Sequence, residues 1–230
     1  MSTFNIDHTP AEIVKLFPKA SDLFKKNKID FCCGGDKPLR ETIEKKQSIN
    51  GDELLLTLNH AYEEWEQAGN KNVDWDQVSK SELIDHIMKQ HHHYLHQELE
   101  PLSQFVTKIF RVHGQTNPHL KELHKLYHQF KADMEAHLVE EETQLFPLVQ
   151  QYEESGDPAI AAKIEVLNKD MEEEHQAAGD LLKAMREVTN DFVPPEGACN
   201  SYRITYARLA DLESNTFEHI HLENNILFKA

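Results

Sequence analysis

The chain has 230 residues, with 24 basic and 40 acidic side chains and a formal net charge of −16. That length suits one sizeable domain, or a medium domain with a small one. The acidic balance argues against nucleic-acid or anionic-membrane binding, which needs a cationic face. Eight glycines, sparse Val/Ile/Thr alternation and abundant Glu, Lys, Leu, Gln and His predict an all-helical protein.

The opening residues, MSTFNIDHTP, have neither a basic stretch nor an apolar core, so no secretory signal is expected. No run approaches the roughly 18 apolar residues that would predict a membrane-crossing helix. Three cysteines, two of them adjacent, make no extracellular disulfide framework. The expected compartment is the cytoplasm.

Residues 1–66 read as a small helical module. TPAEIVKLFPKASDLFKKNKID gives short amphipathic helices interrupted by Pro18, FCCGGDKP a turn, and LRETIEKKQ and DELLLTLNHAYEEWEQ further helices. The apolar content is small for a free-standing core, so the module is expected to lean on a neighbour. Residues 67–79, QAGNKNVDWDQVS, are polar and lack helical periodicity, and read as a linker.

Residues 80–230 carry four long helices. Ser79 and Glu82 form an S-x-x-E capping-box pattern opening the first, which runs to about 113. The second spans about 119 to 153. Asp157 and Pro158 cap and open the third, which continues to about 190. After NDFVPPEGAC, Asn200 or Ser201 caps the fourth. Long helices joined mostly by short loops predict an antiparallel up-down-up-down four-helix bundle.

Each helix has an apolar stripe at steps of three and four residues. The stripes read Ile84, Met88, His92, Leu95, Leu99 in the first helix and Phe130, Met134, His137, Glu141, Leu145 in the second. They read Ile164, Leu167, Met171, His175, Ala178 in the third and Leu212, Thr216, His219, Glu223, Ile226 in the fourth. Every helix thus contributes a histidine where an aliphatic residue is expected. The second and fourth add a glutamate four positions on, within a shared H-x3-E-x3-L-F pattern, HLVEEETQLF and HIHLENNILF. That spacing puts both side chains on one face, about one turn apart.

Depth supports a common site. From His92 to the middle of GQTNP is 24 residues, and from there to His137 is 21; either side of ESGDP the counts to His137 and His175 are both 19. At about 1.5 Å per residue, antiparallel helices bring these residues to nearly one level. The same arithmetic separates His113 from His92 by about 31 Å. A single histidine on an apolar stripe is ordinarily a hydrogen-bonded core residue. Four histidines and two glutamates at matched depth resist that explanation, because buried carboxylates are costly unless paired or metal-bound. Nitrogen and oxygen ligands, two carboxylates able to bridge and no thiolate suit two non-haem iron ions, although zinc or manganese would also bind.

In these motifs the chain resembles the hemerythrin-like family, and more closely the Repair of Iron Centres proteins. The resemblance runs through IDFCCGGDKPL, HLVEEETQLFP, MEEEHQAAG, PPEGAC and HIHLENNILF. It implies that His92, His137, Glu141, His175, His219 and Glu223 fall on the ligands of an oxo- and carboxylate-bridged di-iron centre. It also implies cytoplasmic repair of iron–sulfur clusters damaged by nitrosative or oxidative stress, by supplying iron to damaged or apo iron–sulfur proteins. Nitric oxide and O2 would be small ligands. A di-iron NO reductase and an O2- or NO-binding sensor remain the alternatives, and a homodimer stays open.

In HHH at 91–93 only His92 follows the stripe, so His91 and His93 are expected on exposed or flanking faces. His8, His60, His86, His96, His119, His124, His128 and His221 are read as ordinary polar residues, His221 as dispensable to the site. Adjacent cysteines close a strained ring when oxidised, so Cys32 and Cys33 read as candidate redox or iron-transfer thiols rather than a structural disulfide. Cys199 has no evident partner in sequence.

Overall fold

The stripes build helices where the pattern places them. The structure, a computed structural model, describes residues 3–46 and 48–229. Met1, Ser2, Gln47 and Ala230 lie outside the described residues, and with them the start of MSTFNIDHTP and the end of LRETIEKKQ. The described residues are helices joined by loops, with no strand among them. They fall into two compact units, residues 80–219 and the described residues before 80 together with 220–229.

The larger unit contains α5 (Lys80–Ile87), a wide turn Met88–His92, α6 (His93–His113), α7 (His119–Glu140), a second wide turn Glu141–Leu145, α8 (Phe146–Ser155) and α9 (Pro158–Val188). It also holds most of α10 (Asn200–Leu222). Segments α5–α6 and α7–α8 are each one continuous rod, so the unit is a four-helix bundle. Helix α7 packs on α6 and α9, and α8 on α5 and α9. Helix α10 is tied in by Arg208 to Glu98 (2.6 and 2.8 Å) and by Tyr202 and Tyr206 to His119 (3.1 and 3.0 Å).

Sequence explains the ends. Asp157 accepts the Ala159 N–H (2.8 Å) with Pro158 in the first turn of α9, and Gly156 ends α8 at φ +62°. The N–H groups of Lys80 and Ser81, which no helical carbonyl can reach, donate to the Glu153 carboxylate (2.7 and 3.0 Å). Leu95, Leu99, Leu102, Val106, Leu120, Leu123, Tyr127, Phe130, Leu182, Met185, Leu209 and Leu212 form the core and are all at most 1% exposed. Each full burial of such an aliphatic side chain contributes about 1.5–3 kcal/mol. Ile164 and Leu167, expected inside, are only half-buried.

The wide turns change which side chains face inward. In each, a backbone N–H bonds a carbonyl five residues back: His93 to Met88, Phe146 to Glu141 and, at the end of α10, Phe228 to Glu223. One extra residue per turn breaks the 3.6 period. This corrects the expectation for His91. It is buried, not flanking, because the turn at 88–92 brings His91 and His92 inward together, while His93 stays exposed. For the same reason Ile87 is fully buried and Met88 is not.

The smaller unit holds α1 (Pro10–Leu16), α2 (Ala20–Lys26), α3 (Leu39–Lys45), α4 (Gly51–Gln67) and a short 3₁₀ turn, Trp75–Gln77. Thr9 and Glu12 form a reciprocal capping box on α1. Phe4, Ile13, Phe17, Phe24, Phe31, Leu39 and Leu58 fill its core, to which the chain's end contributes Ile220 and Leu227. No described helix is long and apolar enough to cross a membrane.

Candidate metal centre

Five predicted residues converge within the bundle unit. Glu141, His175 and His219 are fully buried, His92 is 1% exposed and His137 4%. Around the Glu141 carboxylate stand the Nε2 atoms of His137 (3.2 Å), His92 (3.4 Å), His219 (3.7 Å) and His175 (3.9 Å). The imidazoles form two facing pairs, His92 with His219 (Nε2–Nε2 3.2 Å) and His137 with His175 (3.1 Å).

Glu223 follows His219 by one turn of the same unbroken helix, whose final turns count with the smaller unit. It is fully buried. One ligand atom from each of His92, Glu141 and His219 lies within 4.8 Å of the others, and the same holds for His137, Glu141 and His175. The two groups share the Glu141 carboxylate and offer nitrogen and oxygen donors suited to cations.

The electrostatics suit cations. Neither Glu141 oxygen has a donor in hydrogen-bonding geometry, although both are buried. Burial pushes this carboxyl upward, but the charge of His137, with the imidazoles of His219 and His92, outweighs it and holds the group well below the usual carboxylate range. A buried carboxylate ringed by four imidazole nitrogens is stabilised by a bound cation and is costly without one.

Two carboxylates that the sequence reading missed set the imidazole tautomers. His92 Nδ1–H donates to Glu142 (2.9 Å), and His137 Nδ1–H donates to Glu174 (2.8 Å). When the ring is neutral, each bond keeps the proton on Nδ1 and leaves Nε2, the atom on the Glu141 side, able to bind a metal. Glu142 also accepts from the half-exposed His96 (2.8 Å). Burial raises the Glu142 carboxyl, but His96 and His92 bring it below its ordinary value. The available signal was position: Glu142 follows Glu141 and Glu174 precedes His175, inside acidic runs that read as solvated surface. His91 was missed for the helical-period reason given above. Its ring lies parallel to His219 (centroids 6.0 Å apart, planes at 16°) and its Nδ1 meets Asn215 (3.3 Å).

Other candidates have partners of their own. His113 Nε2 contacts Cys199 Sγ (3.3 Å), so Cys199 has a partner after all, one brought to it by the fold. His221 is 3% exposed, and its Nδ1–H donates to the Phe31 carbonyl (3.3 Å) within the smaller unit. Cys32 is buried and Cys33 half-buried, with their sulfurs 3.5 Å apart in the turn after Asp30.

A buried His/carboxylate cluster in a four-helix bundle defines a hemerythrin-like cation-binding protein. The chain belongs to that family: the model of the hemerythrin HHE cation binding domain matches residues 83–230. A second model, ScdA_N, a domain of unknown function (DUF542), matches residues 6–62. Among similar proteins is the iron-sulfur cluster repair protein ScdA of Staphylococcus epidermidis, 34% identical over 219 residues and 95% of each chain. The iron-sulfur cluster repair protein YtfE of Pectobacterium atrosepticum is 34% identical over 226 residues, covering 96% of this chain and 95% of its own. That of Escherichia coli O81 is 33% identical over 222 residues, with the same coverage.

Proposed function

We propose that this chain repairs iron–sulfur clusters damaged by nitrosative or oxidative stress, by supplying iron from a labile His/carboxylate site to damaged or apo iron–sulfur proteins in the cytoplasm. The observation that carries this reading is the fully buried Glu141 carboxylate ringed by two imidazole pairs. The repair proteins named above support the choice of recipient, since they match nearly the whole chain.

In this proposal His92, His137, Glu141, His175, His219 and Glu223 hold two non-haem iron ions, with the carboxylates of Glu141 and Glu223 bridging. Bound iron supplies exchangeable Fe(II) and open coordination for small ligands such as nitric oxide or O2. The chain's own residues do the rest. Glu142 and Glu174 keep two Nε2 lone pairs turned inward, the aliphatic layers exclude bulk water, and the carboxylates, whose bonds to metal exchange more readily than those of imidazole, set how easily iron leaves. Residues 80–230 carry the centre, residues 67–79 link it, and residues 1–66 present Cys32 and Cys33 as redox or transfer thiols.

The test is transfer. Iron-loaded protein is mixed under reducing conditions with an apo iron–sulfur acceptor and sulfide, then separated and analysed for iron. Metal should move to the acceptor as its cluster absorption appears. Iron that stays on this chain while the acceptor remains apo overturns the donor role. Metal analysis at two irons per chain, with the near-ultraviolet absorption of an oxo-bridged pair, checks the centre independently.

A further inference from the structure

We propose that Asp30, Cys32 and Cys33 form a second cation site, a chelate for one thiophilic divalent ion of the iron(II) or zinc(II) class. The proposal deepens the transfer role suggested above for the two thiols, and rests on that role only for the identity of the physiological ion.

The sulfur spacing carries the argument. Two thiolates at about 2.3 Å from one ion, separated by a tetrahedral to trigonal angle, stand roughly 3.8–4.0 Å apart. Cys32 and Cys33 Sγ are 3.5 Å apart, close to that bite. A disulfide needs about 2.05 Å. A carboxylate oxygen of Asp30 and both sulfurs lie within 4.8 Å of one another. Two thiolates and a carboxylate select a soft or borderline cation over magnesium or calcium, and their combined charge favours a divalent over a monovalent ion.

The turn is built to hold this geometry. Asp30 Oδ1 accepts the N–H groups of Cys32, Cys33 and Gly34 (3.1, 3.1 and 3.2 Å), which curls the chain so that both thiols stay beside it. Gly35 closes the curl: a Cβ there would lie 2.4 Å from the Phe31 carbonyl oxygen, so no larger residue fits. From the chain's end, Asn225 donates to the Cys32 carbonyl (2.9 Å) and His221 to the Phe31 carbonyl (3.3 Å). Gly34 is exposed and Cys33 half-buried, so the turn can be reached from solvent at these two residues. On binding, each thiol releases its proton to solvent and both sulfurs bond the ion, with no change of oxidation state.

The test uses the full-length chain with its bundle centre already filled with iron, titrated anaerobically with cobalt(II). A sulfur-to-cobalt charge-transfer band should grow to one equivalent, and two thiols should become resistant to alkylation. Cys32→Ser or Cys33→Ser should abolish the band, and Cys199→Ser should leave it unchanged. Asp30→Asn keeps the oxygen that caps the turn but removes the charge, and should weaken binding by about tenfold or more. Absence of the band, or its survival in the Cys32→Ser/Cys33→Ser chain, overturns the site; unchanged affinity in Asp30→Asn removes Asp30 from it. A normal cobalt band with no iron delivery to an apo acceptor sinks the donor reading and leaves this site standing.

Discussion

The Nε2 atoms of His92 and His219 face each other at 3.2 Å inside the bundle. Two lone pairs at that distance repel, so a proton or a metal ion must stand at one of them. Because His92 donates its Nδ1–H to Glu142, its Nε2 carries a lone pair that can accept that proton or bind a cation. His137, held by Glu174 and facing His175 at 3.1 Å, repeats the arrangement.

Metal and stability should therefore separate cleanly at Glu141. Loaded protein is expected to melt well above stripped protein. Stripped Glu141→Gln should melt at or above stripped wild type, because it no longer buries a carboxylate without its cation, yet it should fail to gain stability from metal. Calorimetry of the four samples checks this. A stripped variant far less stable than stripped wild type would show that Glu141 serves packing instead.

Glu142→Ala and Glu174→Ala should each lower metal affinity by about 10–100-fold while leaving the fold intact. Neither residue is among the proposed ligands, so the loss would come from freeing the rings of His92 and His137. Competition with a coloured chelator measures it. Unchanged affinity in both variants would remove the tautomer argument.

His221 gives a pH dependence with a defined sign. Burial is the main cause that brings its pKa down to about 4, from about 6.5 in the unfolded chain. Between those values the unfolded state binds the extra proton, so stability rises with pH. The contribution is complete above about 6.5 and is lost as pH falls toward about 4, about 3 kcal/mol in all. Urea melts at pH 7 and pH 4.5 should differ less in His221→Asn than in wild type. An identical pH slope in the two chains would contradict this.

Much of the bundle was legible because helix stripes, caps and equal arm lengths are local signals. His92, His137, Glu141, His175 and His219 stood out as polar residues on apolar stripes, and the fold brings them together. The inward turn of His91 was hidden, because an extra residue in a helical turn leaves no mark in composition. Glu142 and Glu174 were hidden for another reason. A carboxylate supporting a buried ring from the surface looks, in sequence, like any solvated acid. The contact of His113 with Cys199 depends on two helix ends meeting, which spacing within one helix cannot reveal.

Arg186 should matter to stability far from the metal centre. It forms a two-pronged pair with buried Glu213, bonds Asp191 (3.3 Å) and lies over the Phe192 ring (5.2 Å). It thereby clasps Asp191 and Phe192, which with Asn190 are three consecutive residues at φ 51°, 59° and 56°. Arg186→Ala should cost about 3–5 kcal/mol by leaving Glu213 buried and unpaired. Adding Glu213→Leu should recover much of that. Denaturant melts of the single and double variants decide it; a single-variant loss below about 1 kcal/mol, the scale of an exposed pair, would contradict the clasp.

The three wide turns lie where the proposed ligands sit: His92 closes one, Glu141 opens the second and Glu223 opens the third. Each substitutes a five-residue span for the usual four and so loosens the helix locally. Each helix is therefore expected to be weakest at its wide turn. A helix that opens at one turn can do so while its hydrophobic layers stay closed, so ion exchange at a buried cluster need not unfold a bundle. Amide exchange at His93 and Phe146, whose N–H groups close two of these turns, should then be faster than in the layers above and below.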